Sequence, residues 1–339
     1  MRLVVLMGGT SDEREVSLSS GAGIARALRQ AGHEVVAVDT VRGALSQEDE
    51  RALLESGLDL DPPSALELQS LDPGHAVAIT KQPDFADVDV FFVALHGGSG
   101  EDGTIQALLD VAGVAFTGSD RLGCSLAMDK EVTKRLLRQA GIPTPDWLSA
   151  PCDADEVERA LGLPVIVKAA SGGSSLRLIL AHDRAELDAA IEESQQWDDL
   201  VLFERYHRGR ELTVGVLGDQ PLPVGEIIPR HEIFDYECKY QPGMAEEIFP
   251  ADISDDLAQR LQRLALQVHR VLRLRDFSRI DFIVDPEGAP WCLEANAVPG
   301  MTPNSLLPKA ALAAGLTFPQ LCDRLVGLAR TRAAAHSTG

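Results

Sequence analysis

The sequence lacks the features that mark membrane-spanning and disulfide-rich secreted proteins. No apolar run approaches the roughly 20 residues that a membrane-spanning helix needs. The opening apolar run, residues 3–7, is too short for a signal-peptide core, and charged residues follow it closely. The chain has only five cysteines, scattered and without a C-x-x-C pair, which argues against a disulfide framework and a zinc cluster. We therefore expect a cytoplasmic protein with no membrane partner.

Basic residues are scarce relative to acidic ones. The 339-residue chain has 31 lysines and arginines against 52 aspartates and glutamates, a net charge of −21. A surface this acidic repels nucleic-acid phosphates and anionic lipids, so we expect no nucleic-acid partner. Apolar residues make up 45% of the chain, which is enough for the cores of two or three domains.

Apolar runs and helical patterns alternate in the first third of the chain. Such an alternation predicts a doubly wound α/β domain with a parallel sheet. Its strands are expected at residues 3–6, 34–38 and 88–95, with helices at 16–31 and 104–112. The sequence pattern of the rest of the chain predicts α+β structure. It shows a helix at 130–140, a long amphipathic helix at 252–274, a final helix at 318–334, and strands at 164–168, 200–204, 211–217, 223–228, 278–284 and 290–294.

Two glycine-rich turns follow strands of the predicted parallel sheet. Gly8-Gly9-Thr10-Ser11 comes after the first strand, and the turn over residues 96–103 comes after the third. Ligands of open α/β sheets bind beyond the carboxyl ends of the strands, so both turns are candidate binding elements. The first turn does not match the G-x-G-x-x-G dinucleotide pattern, which argues against a dehydrogenase. A tight connection and an ordinary surface turn are the alternative interpretations.

Lys168 ends an apolar strand and leads into a loop rich in glycine and serine, residues 169–175. Backbone donors of such a loop and the point charge of a lysine suit a triphosphate. The loop is not a Walker A sequence, because no Gly-Lys-Ser/Thr follows. A flexible linker is the alternative. Glu204 and Glu211, close to the next strands, are candidate acceptors for ribose hydroxyls, although each alone is more typical of a solvated glutamate.

The clearest constellation lies in the last third of the chain. Arg279 and Asp281 share one predicted strand, and Glu294 and Asn296 lie at the end of the next. Because side chains alternate along a strand, the members of each pair point to the same face. Two carboxylates and an amide oxygen form a hard-oxygen site suited to Mg²⁺, and the arginine suits a phosphate or an oxyanion. Two ordinary solvated strand ends are the alternative.

Together these segments resemble the D-alanine–D-alanine ligase family of ATP-grasp enzymes. The matching motifs occur in the order of the family and span nearly the whole chain. They are Gly8 through Ser17, Ala94 through Gly97, Glu101 through Thr104, Met128-Asp129-Lys130, Gly173-Ser174-Ser175, Asp235 through Tyr240, Arg279-Ile280-Asp281, Leu293 through Asn296, Pro299 through Thr302, and Ser305-Leu306.

The resemblance implies an ATP-grasp fold with a doubly wound amino-terminal, or pre-ATP-grasp, domain. It implies an amino-terminal α/β domain over residues 1–120, a central ATP-grasp subdomain over 121–205, and a carboxyl-terminal subdomain with the metal and substrate site over 206–339. The implied reaction is ATP-dependent ligation of two D-alanines through an acyl phosphate, for peptidoglycan precursor synthesis. Two Mg²⁺ ions, with Mn²⁺ as a substitute, and a homodimer are also implied.

The same resemblance assigns a role to each residue that matches a family motif. Glu13 is expected to bind the ammonium of the first D-alanine, and Ser174 and Tyr240 to link with it when a loop closes. Arg279 and the Gly300 backbone are expected to stabilise the tetrahedral oxyanion. The remaining roles are ATP binding by Lys130, Lys168, Glu204, Glu211 and Lys239, metal binding by Asp281, Glu294 and Asn296, and binding of the second D-alanine by His96, Ser305 and Leu306.

Other acceptors and an inactive homologue are the competing hypotheses. A pocket distinguishes one methylene by only about 1–3 kcal/mol, so D-serine or another small amino acid stays open as the acceptor. In the family a tyrosine at the position of Tyr240 goes with amine acceptors, which predicts a dipeptide rather than an ester. A nucleotide-binding homologue without ligase activity is the third hypothesis, supported only by departures in the phosphate loop.

Those departures are Ala169, where the family usually has proline, and Arg177, where the family's Gly-Ser-Ser-x-Gly ends in glycine. If the position needs a left-handed backbone, arginine costs roughly 1 kcal/mol or more. We predict that the backbone of the loop follows a somewhat different path and that the loop still binds ATP. Arg177→Gly should therefore leave the KM for ATP within about tenfold of the wild-type value, measured by steady-state kinetics. A collapse of ATP binding would show instead that Arg177 is an essential ligand.

Overall fold

A computed structural model of the chain describes residues 1–55, 87–173, 177–234, 236–241 and 243–336. Its strands form three sheets, each built from a separate stretch of the chain. Within this described part, every helix is too short or too polar to traverse a lipid bilayer.

The first sheet has four strands in the order β3-β2-β1-β4. Its central strand β1 is buried and pairs in parallel with β2 and β4, so Leu3 lies between Val35 and Val90. This confirms the predicted parallel sheet. The elements are β1 (Arg2–Met7), α1 (Arg14–Gln30), β2 (Glu34–Asp39), β3 (Gly43–Ala44), α2 (Gln47–Glu55), β4 (Val90–Val93) and α3 (Thr104–Ala112).

The second sheet is antiparallel, in the order β5-β8-β6-β7. Its buried face packs on two helices around Val157, Phe203 and Leu187. The strands at 164–168 and 200–204 were predicted, whereas β5 and β7 were missed because they have only three and four residues. The elements are α4 (Arg121–Met128), α5 (Lys130–Gln139), β5 (Trp147–Ser149), α6 (Ala154–Leu161), β6 (Val165–Ala169), β7 (Leu178–Ala181), α7 (Arg184–Ser194) and β8 (Val201–Arg205).

The third sheet has six strands, in the order β12-β11-β9-β13-β14, with β10 paired to β9. The long helix α9 covers one face through Leu261, Ala265 and Val268. The elements are β9 (Arg210–Leu217), β10 (Gln220–Pro221), β11 (Gly225–Pro229), α8 (Tyr236–Tyr240), β12 (Ala245–Ile248), α9 (Asp255–Val271), β13 (Phe277–Val284), β14 (Pro290–Asn296), α10 (Leu306–Ala313) and α11 (Phe318–His336).

Strands β13 and β14 form the hairpin that the sequence predicts. Its turn closes with a hydrogen bond from Gly288 N to Asp285 O, and Gly288 has a φ of +81°. Asp281 pairs with Glu294, but Phe282 pairs with Cys292, so one extra residue bulges from β14. The bulge does not disturb the predicted alternation of Glu294 and Asn296, since both lie beyond it.

One buried titratable group lies behind the third sheet. His269 of α9 is 6% exposed, and its Nδ1 lies 2.7 Å from the Oγ of Ser278 on β13. Burial, with a smaller contribution from Arg270, lowers the pKa of His269 from 6.5 to about 4. The folded protein therefore keeps this imidazole neutral where an unfolded chain would protonate it.

Replacement of His269 by glutamine should make the protein less sensitive to acid. The unfolded state takes up a proton at His269 below pH 6.5, and the folded state takes it up only near pH 4. The wild-type protein should therefore lose about 2–3 kcal/mol at this residue between pH 7 and 4.5. Urea unfolding of the wild type and His269→Gln at both pH values checks this. Equal losses in the two proteins would show that His269 does not cause the sensitivity.

Candidate active site

A cavity of about 560 Å³ is lined by residues from all three sheet regions. Clefts of this size commonly bind small molecules. Half of the sixteen residues assigned from the sequence line it, namely Glu13, Lys130, Lys168, Glu204, Glu211, Lys239, Asp281 and Glu294.

The turn after β1 holds Glu13 at the cavity. Gly8 has a φ of +82°, and a Cβ there would come within 2.5 Å of the Asp39 carboxylate and 2.6 Å of the Arg14 guanidinium. Arg14 donates to both carboxylate oxygens of Asp39 and to the carbonyl of Gly9. The turn therefore needs glycine where this buried ion pair crosses it.

The Glu13 carboxylate lies against two glycines from other parts of the fold. A Cβ at Gly97 would lie 2.8 Å from Glu13 Oε2, and a Cβ at Gly173 would lie 2.6 Å from the same atom. Ser11 Oγ also donates to the carbonyl of His96 at 2.5 Å. The two glycine-rich turns and the loop after β6 therefore meet at Glu13.

Three lysines bring positive charge to the cavity from separate elements. Lys168 lies on β6, Lys239 on α8, and Lys130 begins α5, where its Nζ donates to the carbonyl of Gly172 at 2.7 Å. Burial alone would raise the pKa of Glu294, but Lys239, Lys130 and Lys168 bring it to about 2. Glu294 therefore stays ionised at neutral pH.

Asp281 and Glu294 lie opposite each other on β13 and β14. Asp281 accepts hydrogen bonds from Thr213 at 2.6 Å, from Arg279 at 2.8–3.2 Å and from Asn296 Nδ2 at 3.0 Å. The structure thus brings Arg279, Asp281, Glu294 and Asn296 together.

The donors at this position fit a hard divalent cation. Two carboxylates and one amide supply oxygen ligands of the kind that Mg²⁺ prefers. Within the described ranges, no group of three His, Cys, Asp or Glu side chains could hold a metal ion. The metal-binding role of Asp281, Glu294 and Asn296 stays a prediction.

Glu211, a candidate for adenosine, lies on β9 close to both of these carboxylates. Burial and the charge of Asp281 raise the pKa of Glu211 to about 8, although Lys239 opposes the shift. The carboxyl group is therefore largely protonated at neutral pH when no cation compensates the neighbouring charges.

Glu204, the second adenosine candidate, lies between two lysines. Its Oε1 accepts from Lys168 Nζ at 2.9 Å, and its Oε2 accepts from Lys134 Nζ. Sequence reasoning missed Lys134, although a signal was present. Lys134 follows Lys130 by four residues in α5, so both lysines share one helix face.

His96 is buried, at 4% exposure, and lies beside rather than in the cavity lining. Its Nδ1 lies 3.1 Å from the carbonyl of Val298 and 3.6 Å from the Glu101 carboxylate, and its Nε2 lies 3.1 Å from Ser20 Oγ. Hydrogen bonding and charge from Glu101 raise the pKa of His96 even though burial opposes this. Glu101 is a second residue that the site assignments missed.

The candidates for the second D-alanine form their own cluster after β14. A Cβ at Gly300 would lie 3.1 Å from Ser305 Oγ, and Ser305 immediately precedes α10, which begins at Leu306. The Ser305 Oγ also accepts from Thr302 N at 3.1 Å. His96 connects to this cluster through its contact with Val298.

Two predicted residues cannot be placed. Ser174 and the side chain of Tyr240 lie outside the described residues, so their expected link with Glu13 stays a prediction. Arg177 lines the cavity, its side chain is exposed, and its carbonyl accepts from Ala169 N at 3.2 Å.

Two family models match the chain. The model described as "D-ala D-ala ligase N-terminus" matches residues 2–119, and the one described as "D-ala D-ala ligase C-terminus" matches residues 136–327. A D-alanine–D-alanine ligase of Desulfotalea psychrophila is 40% identical over 97% of this chain and 94% of its own length.

Solved structures give the same family. The ATP complex of a D-alanine–D-alanine ligase from Bacillus anthracis has a TM-score of 0.78 and 30% identity, covering 99% of both chains. The VanG D-Ala:D-Ser ligase from Enterococcus faecalis has a TM-score of 0.80 and 29% identity, covering 97% of this chain and 99% of its own. These similarities confirm the predicted ATP-grasp fold class.

Replacement of Glu211 by glutamine should stabilise the cation-free protein at alkaline pH. A carboxyl group whose pKa rises from 4.5 to about 8 on folding opposes folding increasingly across that range. Glu211→Gln should therefore gain about 2–4 kcal/mol at pH 8 and almost nothing at pH 4.5. Denaturant unfolding in the presence of a chelator at both pH values checks this. An equal effect at the two values would contradict the raised pKa.

Proposed function

This chain belongs to the D-alanine–D-alanine ligase family, and from that premise we propose that it joins two D-alanines into D-alanyl-D-alanine at the expense of ATP. The reaction makes a peptidoglycan precursor and releases ADP and phosphate. The observation that carries the proposal is one cavity whose lining contains three lysines, the Asp281–Glu294 carboxylate pair and Glu13.

In the first step, a carboxylate oxygen of the first D-alanine attacks the γ-phosphorus of ATP, and ADP leaves. The product is an acyl phosphate, a much better electrophile than a carboxylate. Such a transfer needs positioning and charge neutralisation more than covalent help. Lys130, Lys168 and Lys239 neutralise the phosphates, and Glu13 holds the ammonium group of the first D-alanine.

In the second step, the amine of the second D-alanine attacks the acyl carbon and loses a proton, and phosphate leaves. Arg279 and the Gly300 backbone stabilise the negative oxygen of the tetrahedral intermediate. Ser305 and Leu306 bind the carboxylate of the second D-alanine, with His96 nearby. Closure of the loop that carries Lys239 and Tyr240 excludes water, which would hydrolyse the acyl phosphate.

Asp281, Glu294 and Asn296 are the residues that would hold magnesium. We assign two Mg²⁺ ions, with Mn²⁺ as a substitute, and their contribution is to neutralise the charge of the phosphates. Glu204 and Glu211 hold the adenosine. The division at residues 120 and 205, a homodimeric assembly, a cytoplasmic location and the absence of a nucleic-acid partner belong to the same proposal.

A second candidate function is ligation with D-serine as the acceptor. It is favoured by the similarity to the VanG D-Ala:D-Ser ligase, whose chain is covered to 99%. The two acceptors differ by one hydroxyl, so hydrogen bonding to that group in the second substrate pocket decides between them.

A product assay tests the proposal. The protein is incubated with ATP and Mg²⁺, and with D-alanine alone or together with D-serine, D-lactate or L-alanine, and the products are identified by mass spectrometry. We expect phosphate release that requires D-alanine, with D-alanyl-D-alanine as the main product. Asp281→Asn is the matched control and should abolish release.

Other products give other conclusions. A dominant D-alanyl-D-serine would select the second function, and a dominant D-lactate ester would contradict the role of Tyr240. Nucleotide binding without phosphate release would identify an inactive homologue.

A further inference from the structure

Lys134 is a fully buried charged residue that contacts Glu204 of the cavity lining. Its side chain has 0% exposure, and its Nζ donates to Glu204 and, at 2.8 Å, to Thr144 Oγ1. The same ammonium lies 5.2 Å from the centroid of the Trp147 ring. Lys134 therefore reaches the cavity only through Glu204.

Glu204 connects this buried lysine to one that faces the ligand space. Lys168 and Glu204 both line the cavity, and Lys168 contacts the carboxylate oxygen that Lys134 does not. Burial lowers the pKa of Lys134, and the charge of Glu204 opposes that shift. With both lysines protonated, the cluster of two ammonium groups and one carboxylate carries one positive charge in excess. Burial would raise the pKa of Glu204, but the two lysines lower it, so the carboxylate stays ionised.

The excess charge depends on Lys134. If Lys134 were uncharged, Lys168 would be the remaining cation on a buried carboxylate. A buried charge is costly to leave without a partner, so Lys168 would then be held on Glu204. With Lys134 in place, Lys168 can turn toward an anionic ligand while Glu204 keeps a partner.

We propose that Lys134 is a positioning residue for nucleotide binding, because it neutralises Glu204 from the core side and leaves the charge of Lys168 available to a triphosphate. The inference rests on the proposed function, since it takes ATP as the ligand of this cavity. It predicts that the affinity lost when Lys134 is replaced increases with the number of phosphates on the ligand, even though Lys134 contacts none of them.

The test compares two ligands and two variants of one helix. Lys134→Met keeps the length of the side chain and removes the charge. Arg138→Met is the matched control, because Arg138 lies one turn further along α5 and stacks on the same Trp147 ring at 4.2 Å, but pairs with Asp146 instead. Dissociation constants are measured by calorimetry for a non-hydrolysable ATP analogue with Mg²⁺ and for adenosine.

We expect Lys134→Met to weaken binding of the ATP analogue at least thirtyfold and binding of adenosine less than threefold, with Arg138→Met close to wild type for both. In a Glu204→Gln background the same Lys134→Met change should weaken binding of the analogue less than threefold, since no carboxylate is left to hold Lys168. In steady-state kinetics the KM for ATP should rise while the KM for D-alanine does not.

Two results would overturn the inference. One is unchanged binding of the analogue by Lys134→Met, and the other is an equal loss for adenosine and the analogue, which indicates a purely structural role. If Lys134→Met does not fold, Thr144→Val replaces it and should show a smaller loss, confined to the analogue. Unchanged analogue binding by Thr144→Val would then count against the inference.

The binding measurements do not depend on the ligase reaction. A wild-type protein that binds the analogue but makes no dipeptide would contradict the proposed function and leave the role of Lys134 intact. A wild-type protein that does not bind the analogue would overturn both.

Discussion

An electrostatic balance between separate parts of the fold governs this site. Asp281, Glu294 and Glu211 place three acidic groups close together on the third sheet, where burial and the charges of Asp281 and Glu294 raise the pKa of Glu211. Lysines from the second sheet, the start of α5 and the short helix α8 compensate that charge. Neither the buried carboxylates nor the buried lysines would be stable in their charged forms without the other group, because a buried charge needs a compensating charge beside it.

The same principle explains the second layer of the site. Glu204 is buried and stays ionised because Lys134 and Lys168 each donate to a different oxygen of its carboxylate. Arg14 and Asp39 act similarly beneath the first glycine-rich turn. In both places a buried ion pair sets the position of a neighbouring group that faces the cavity. Buried pairs of this kind contribute little net stability, and their value here lies in geometry.

Several features could be predicted because they depend on short stretches of chain. The buried strand Arg2–Met7 and the amphipathic helix Asp255–Val271 follow from their hydrophobic periodicity. The hairpin that brings Asp281 and Glu294 onto neighbouring strands follows from its recognisable turn, whereas the bulge that sets their exact pairing does not. Strands Trp147–Ser149 and Leu178–Ala181 could not be predicted, since three or four residues are too few to show a hydrophobic pattern.

By itself the sequence determined the family, the main buried strands and amphipathic helices, and the residue types available for chemistry, because motifs and periodicity are local properties. It did not determine which of the charged residues interact, or how those interactions shift their pKa values. The raised pKa of Glu211 and the approach of Glu13 to Gly173 arise between segments distant along the chain. So does the link from Lys134 through Glu204 to Lys168. Only the tertiary structure decided these features, since desolvation and Coulomb interaction depend on distances in space.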